Sequence, residues 1–167
     1  YSKIDNLAPL PFTENEVHES SVLFDEKYVL LGKKATEENF RRTDYNNYDI
    51  LHFATHGLIS GEIDSLKDPG LVLTYPETPS SIMNDGYLSS SDIAELNFDG
   101  QLVLLSACNT AVDDGATNYF GLSDLSNSFL DAGAKNIVVS QWPIVSKSSA
   151  KFMKEYLKNI KQTNNKN

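Results

Sequence analysis

Two residues able to carry nucleophilic and proton-transfer chemistry stand at corresponding places in this sequence. His56 follows the mostly apolar run Asp49 to Thr55 (DILHFAT), and Cys108, the single cysteine, follows the apolar run Leu102 to Ala107 (LVLLSA). In an open parallel sheet, reactive groups collect just beyond the carboxyl ends of the strands. If the two runs are neighbouring strands, imidazole and thiol emerge at one edge, and a histidine nearby favours the nucleophilic thiolate. Gly57, without a Cβ, lets backbone approach a substrate closely, and its N–H with that of Cys108 would hold a developing oxyanion. A plainer reading competes. A lone buried thiol serves equally as a small core residue, and a strand-end imidazole as a hydrogen-bonded structural group. Matching strand ends bring the reactive pair level with this reading, and spacing alone does not decide.

The elements that must position these residues alternate between strand-like and helix-like patterns. Thr13 with Glu16 three positions on has the form of a capping box and predicts a helix to Leu23. Tyr28 to Leu31 reads as a strand closed by Gly32, and Thr36 caps a helix reaching Tyr45. After His56 comes a turn-rich stretch to Gly86, with one short strand expected over Gly70 to Thr74. Ser89 to Asp92 caps a short helix, and Leu102 to Ser106 is the clearest buried strand. Beyond the small, acidic loop Val112 to Thr117, a helix runs from Leu122 to Ala132 and ends at Gly133. A strand over Asn136 to Ser140 and a helix over Ser146 to Ile160 complete the pattern. Strands separated by helices, with continuous rather than alternating apolar character, predict a mainly parallel central sheet covered on both faces: an α/β/α sandwich.

Composition bounds the function. A chain of 167 residues, 40% of them hydrophobic, suits one α/β domain, expected over 1–161 with a polar, frayed tail over 162–167. The net charge of −9 argues against direct nucleic-acid binding. Lys147, Lys151, Lys154, Lys158 and Lys161 recur at helical spacing, as on a solvated helix face. No apolar run is long enough for a membrane span, so no membrane partner is expected. One cysteine excludes an internal disulfide framework and suits a reducing cytoplasm. His52 and His56 are four apart, but on a strand, without the zincin glutamate and without a third ligand, so no metal is expected. His52 is placed in the core and His18 on the exposed side of the first helix.

HFATHG around His56 and LLSACNT around Cys108 resemble the two signature motifs of the CHAT family of caspase-like cysteine peptidases. LPFTENEV and LLGKKATEENF are similar to the family's entry to this region, and GLSDLSNSFLDAGAKNIVVSQWPI to its segment after the cysteine. The resemblance covers Leu10 to about Leu157. The two residues stand about fifty positions apart, the separation known from caspases. The Gln-Ala-Cys-Arg-Gly signature is absent, which marks a relative of caspases and not a caspase.

That resemblance implies a caspase-like fold and a cysteine endopeptidase acting on an extended protein segment. Cys108 would attack the carbonyl and His56 would protonate the leaving amine, without a cofactor. Ser140, Gln141 and Trp142 match the stretch that pairs with extended substrate in caspase-like enzymes. Trp142 either walls a pocket or packs as a core aromatic beside Pro143. Family members often carry an acid shortly after Trp-Pro, where a basic substrate residue is held. Here the run Trp142-Pro143-Ile144-Val145-Ser146 has no carboxylate, and only Asp113 or Asp114, read in the first place as solvated loop residues, offers charge. The resemblance further implies a helical-repeat, TPR-like regulatory domain or partner. It also implies a domain extending beyond this chain at both ends, in keeping with Tyr1 in place of an initiating Met. The competing function is a non-enzymatic, caspase-like signalling or interaction module.

Overall fold

Alternation along three short strands builds the layers. In the computed structural model, which describes residues 7, 9–63, 66–76, 84–107, 120–140 and 146–164, strands β1 (Ile50–Ala54), β5 (Leu102–Ser106) and β6 (Asn136–Val139) form a parallel sheet in the order β1-β5-β6. Val103 and Leu105 point to one face, with Leu51, Phe53, Ile137 and Val139, and meet Phe40, Ile93, Leu125 and Phe129. Leu104 points to the other face with Ile50, Leu102 and Val138 and packs on Met153 and Leu157. Because both faces are covered, β5 carries no polar residue before Ser106. The expected three-layer α/β/α architecture is present.

The first face is covered by α2 (Glu37–Arg42), α3 (Ser90–Ala94) and α4 (Phe120–Asp131). Five aromatic rings close a circuit there: Phe40, Phe53, Phe129, Phe98 and Tyr45, with neighbouring centroids 5.2–5.7 Å apart. Phe53 fixes β1 to this circuit three residues before His56. The second face is covered by α5 (Ser146–Asn164) and, at β1, by α1 (Thr13–Ser21). A second, antiparallel sheet follows β1: β2 (Gly57–Leu58), β3 (Gly70–Val72) and β4 (Tyr87–Ser89). Its strands are too short to show a period in sequence, and only β3 was legible, ending at Val72 and not Thr74.

Local signals succeeded where the partner is local. Thr36 accepts a hydrogen bond from the Asn39 N–H at 3.2 Å and caps α2. Ser89 and Asp92 form a capping box at α3. The Thr13–Glu16 pattern is not a cap: Phe12 is the N-cap residue, and the Thr13 hydroxyl donates to the Leu10 carbonyl oxygen at 2.9 Å. Glu16 is buried and turned instead towards β1. Tyr28 to Leu31, expected as a strand, joins neither sheet; Tyr28 is 58% exposed, and β1 pairs with β5. α2 stops at Arg42, followed by a 3-10 turn over Tyr45–Asn47. α5 continues past Ile160 to Asn164, so three residues read as tail are helical.

Candidate active site

β1 ends at Ala54, and its register with β5 pairs Ala54 with Ser106. His56 therefore stands two residues beyond the last paired residue of β1, and Cys108 two residues beyond that of β5 in sequence. Cys108 itself lies outside the described residues, as do Asp113, Asp114, Gln141 and Trp142. Ser140 follows β6 directly and is half-buried, and Ser146 opens α5.

The turn bearing His56 is held by Val72 of β3 from both sides. The Val72 N–H donates to the His56 carbonyl oxygen at 2.9 Å, and the Thr55 hydroxyl donates to the Val72 carbonyl oxygen. His56 is buried and so is Gly57. Gly57 packs on the residue before Cys108: a Cβ placed on it would lie 3.0 Å from the Ala107 carbonyl oxygen and 3.3 Å from the Ala107 Cβ. Ala107 is fully buried. Turn and strand end are thus brought into contact through backbone, and a side chain at 57 would require them to shift apart.

His52, on β1, faces α1, and its Nε2 lies 2.9 Å from Glu16 Oε1. It is engaged in a structural pair on the α1–α5 side of the sheet, whereas His56 lies beyond the strand end. His18 is exposed, as expected. Among the described residues no group of three or more His, Cys, Asp and Glu side chains is placed to hold a metal ion. Nor is any helix among them long and apolar enough to cross a membrane.

A cavity of about 310 Å3 opens beside His56, lined by Leu7, Pro9, Leu10, Thr13, Ala54, Thr55, His56 and Val72. The sequence reading missed these neighbours. Thr55 could have been marked by its place within HFATHG, but nothing in the local pattern of Pro9 and Leu10 announces a site some forty residues away.

The model of the CHAT domain matches residues 3–167. The chain belongs to the CHAT domain family. That family is related to caspase-like cysteine peptidases, in agreement with the three-layer fold. Mouse tetratricopeptide repeat protein 28 is 25% identical over 178 residues, covering 91% of this chain. This CHAT domain chain spans 7% of the length of that relative. No solved structure matches it.

Proposed function

We propose that this CHAT domain is a cysteine endopeptidase that cleaves an extended segment of a protein substrate with Cys108 as nucleophile and His56 as acid and base. The observation supporting this most is the β1–β5 register, which ends two residues short of His56 on one strand and of Cys108 on the other. Neighbouring parallel strands lie about 4.8 Å apart, so groups at equal distances beyond two such ends share one substrate-sized space. Contact between Gly57 and Ala107 supports the same reading.

The chemistry follows from the residue types. The Cys108 thiolate forms a bond to the scissile carbonyl carbon, and the carbonyl electron pair moves to oxygen. The N–H groups of Gly57 and Cys108 stabilise that oxyanion. Collapse breaks the C–N bond as His56 gives its proton to the leaving amine, leaving a thioester. Water, losing a proton to His56, then adds to the thioester and releases the acid and the thiolate. Ser140, Gln141 and Trp142, which follow β6 in sequence, pair with the substrate backbone. Ser146 contributes no charge, so a basic residue before the cleaved bond is not selected at that position. Attached helical repeats or a repeat-bearing partner regulate the enzyme; the tetratricopeptide repeats in the mouse relative's name support this association.

Cys108→Ala and His56→Ala each abolish cleavage of a proteome-derived peptide library, and a thiol-directed electrophile labels Cys108 faster than a model thiol. A Cys108→Ala protein that still cleaves would sink the proposal. An unreactive, structural Cys108 would favour the non-enzymatic interaction module.

A further inference from the structure

The geometry points to the cavity beside His56 as the pocket for the substrate residue that follows the cleaved bond, and to an apolar side chain as its occupant. This rests on the peptidase reading. In that reading His56 protonates the leaving amine, so the chain leaving with that amine passes on the imidazole's side of the site. The cavity there is continuous with His56 and is walled by Leu7, Leu10, Ala54 and Val72.

Both threonine hydroxyls of its lining donate within the protein. The Thr13 hydroxyl donates to the Leu10 carbonyl oxygen, and the Thr55 hydroxyl donates to the Val72 carbonyl oxygen. Among the described lining residues there is no carboxylate and no Lys or Arg; His56 is the one that ionises. An ammonium or guanidinium group entering the cavity would lose water without gaining a counter-charge from the described lining, which is unfavourable. An apolar side chain gains by leaving water. A cavity of about 310 Å3 is at the small end for ligand sites and suits one Leu, Met or Phe side chain rather than a longer stretch of chain. The wall contributed by Leu7, Pro9 and Leu10 comes from the segment leading into α1. That short apolar stretch therefore sets specificity although it lies far in sequence from both His56 and Cys108.

The test digests a proteome-derived peptide library with the whole protein and sequences the new N-termini. The expected result is enrichment of Leu, Met and Phe over Lys and Arg by about tenfold or more at the first position after the cut. Leu10→Phe, which fills the cavity, shifts that preference towards Ala and Val. Leu10→Glu removes it and admits Lys and Arg. Cleavage with no apolar preference at that position, or a preference unmoved by both variants, overturns the pocket and leaves the peptidase reading standing. Absence of any cleavage, together with failure of a peptidyl chloromethyl ketone to label Cys108, overturns both.

Discussion

Gly57 lies so close to Ala107 that a Cβ at position 57 would come within 3.0 Å of the Ala107 carbonyl oxygen. The atom it would meet is backbone at the buried end of β5, which cannot swing aside as a flexible side chain would. Gly57→Ala should therefore cost about 1–3 kcal/mol, the usual range for overpacking. It should also push the His56 turn away from the strand end that leads to Cys108. Urea unfolding reads the first effect and the rate of Cys108 labelling the second. A variant as stable and as quickly labelled as the parent would show that the two backbones have room to separate.

The two threonines at helix starts make opposite predictions although their sequence contexts look alike. Thr36 caps α2 through the Asn39 N–H, so Thr36→Ala should destabilise by about 0.5–2 kcal/mol. Thr13 is inside α1 and caps nothing, so Thr13→Ala should cost less than Thr36→Ala. Glu16, which the same pattern would assign to a cap, should cost more than Thr13 when removed. Glu16→Ala leaves His52 without its carboxylate partner in a half-buried setting, a loss of about 1–3 kcal/mol. Paired thermal melts of the three variants order them Thr13, then Thr36 and Glu16. A Thr13 variant more destabilised than the other two would contradict the α1 geometry.

Glu37 predicts a stability that falls as pH rises. Its side chain is fully buried, and burial pushes its pKa from 4.5 up to about 7. The Arg41 guanidinium on the same helix, whose Nε donates to Glu37 Oε1 at 2.8 Å, opposes that rise. Asp92 of α3 and Asp85 before β4 add to it. Among the described residues, Glu37 Oε2 has no hydrogen-bond partner. The folded protein holds this proton more tightly than the unfolded chain does. Its contribution is therefore complete below pH 4.5 and declines through about pH 7, by at most roughly 3 kcal/mol. Glu37→Gln, uncharged and nearly equal in size, should flatten the unfolding free energy between these pH values. An unchanged slope in Glu37→Gln would assign the dependence to other groups.

Much of the arrangement was legible because the strands that matter are continuous apolar runs. Leu102 to Ser106 reads as buried on both faces, and it is; Asp49 to Thr55 reads as a second apolar strand, and over Ile50–Ala54 it is the parallel neighbour of the first. The capping box at Ser89 was legible because donor and acceptor sit three residues apart. Glu16 was misread for the same reason: its partner, His52, is thirty-six residues away, and no local rule sees that distance. Tyr28 to Leu31 has the composition of a strand, yet composition supplies no hydrogen-bonding neighbour, and the segment joins neither sheet. The cavity beside His56 was hidden because its wall joins Leu10 and Val72, residues from separate segments that meet only after folding.

The adjacency of β1 and β5 also dictates when the molecule becomes competent. These strands touch in the sheet but are separated by more than forty residues of intervening chain, including the whole β2–β4 sheet. Closing so long a loop is slow, and the reward arrives only when the ladder zips. During synthesis, His56 is exposed to solvent well before the chain that carries Cys108 has left the ribosome. A nascent chain stalled before β5 holds an imidazole and no nucleophile, and one completed but unzipped holds both at no fixed separation. On the proposed peptidase reading, joining of the two strands is thus a built-in delay, by which proteolysis would begin only in a chain that has already folded.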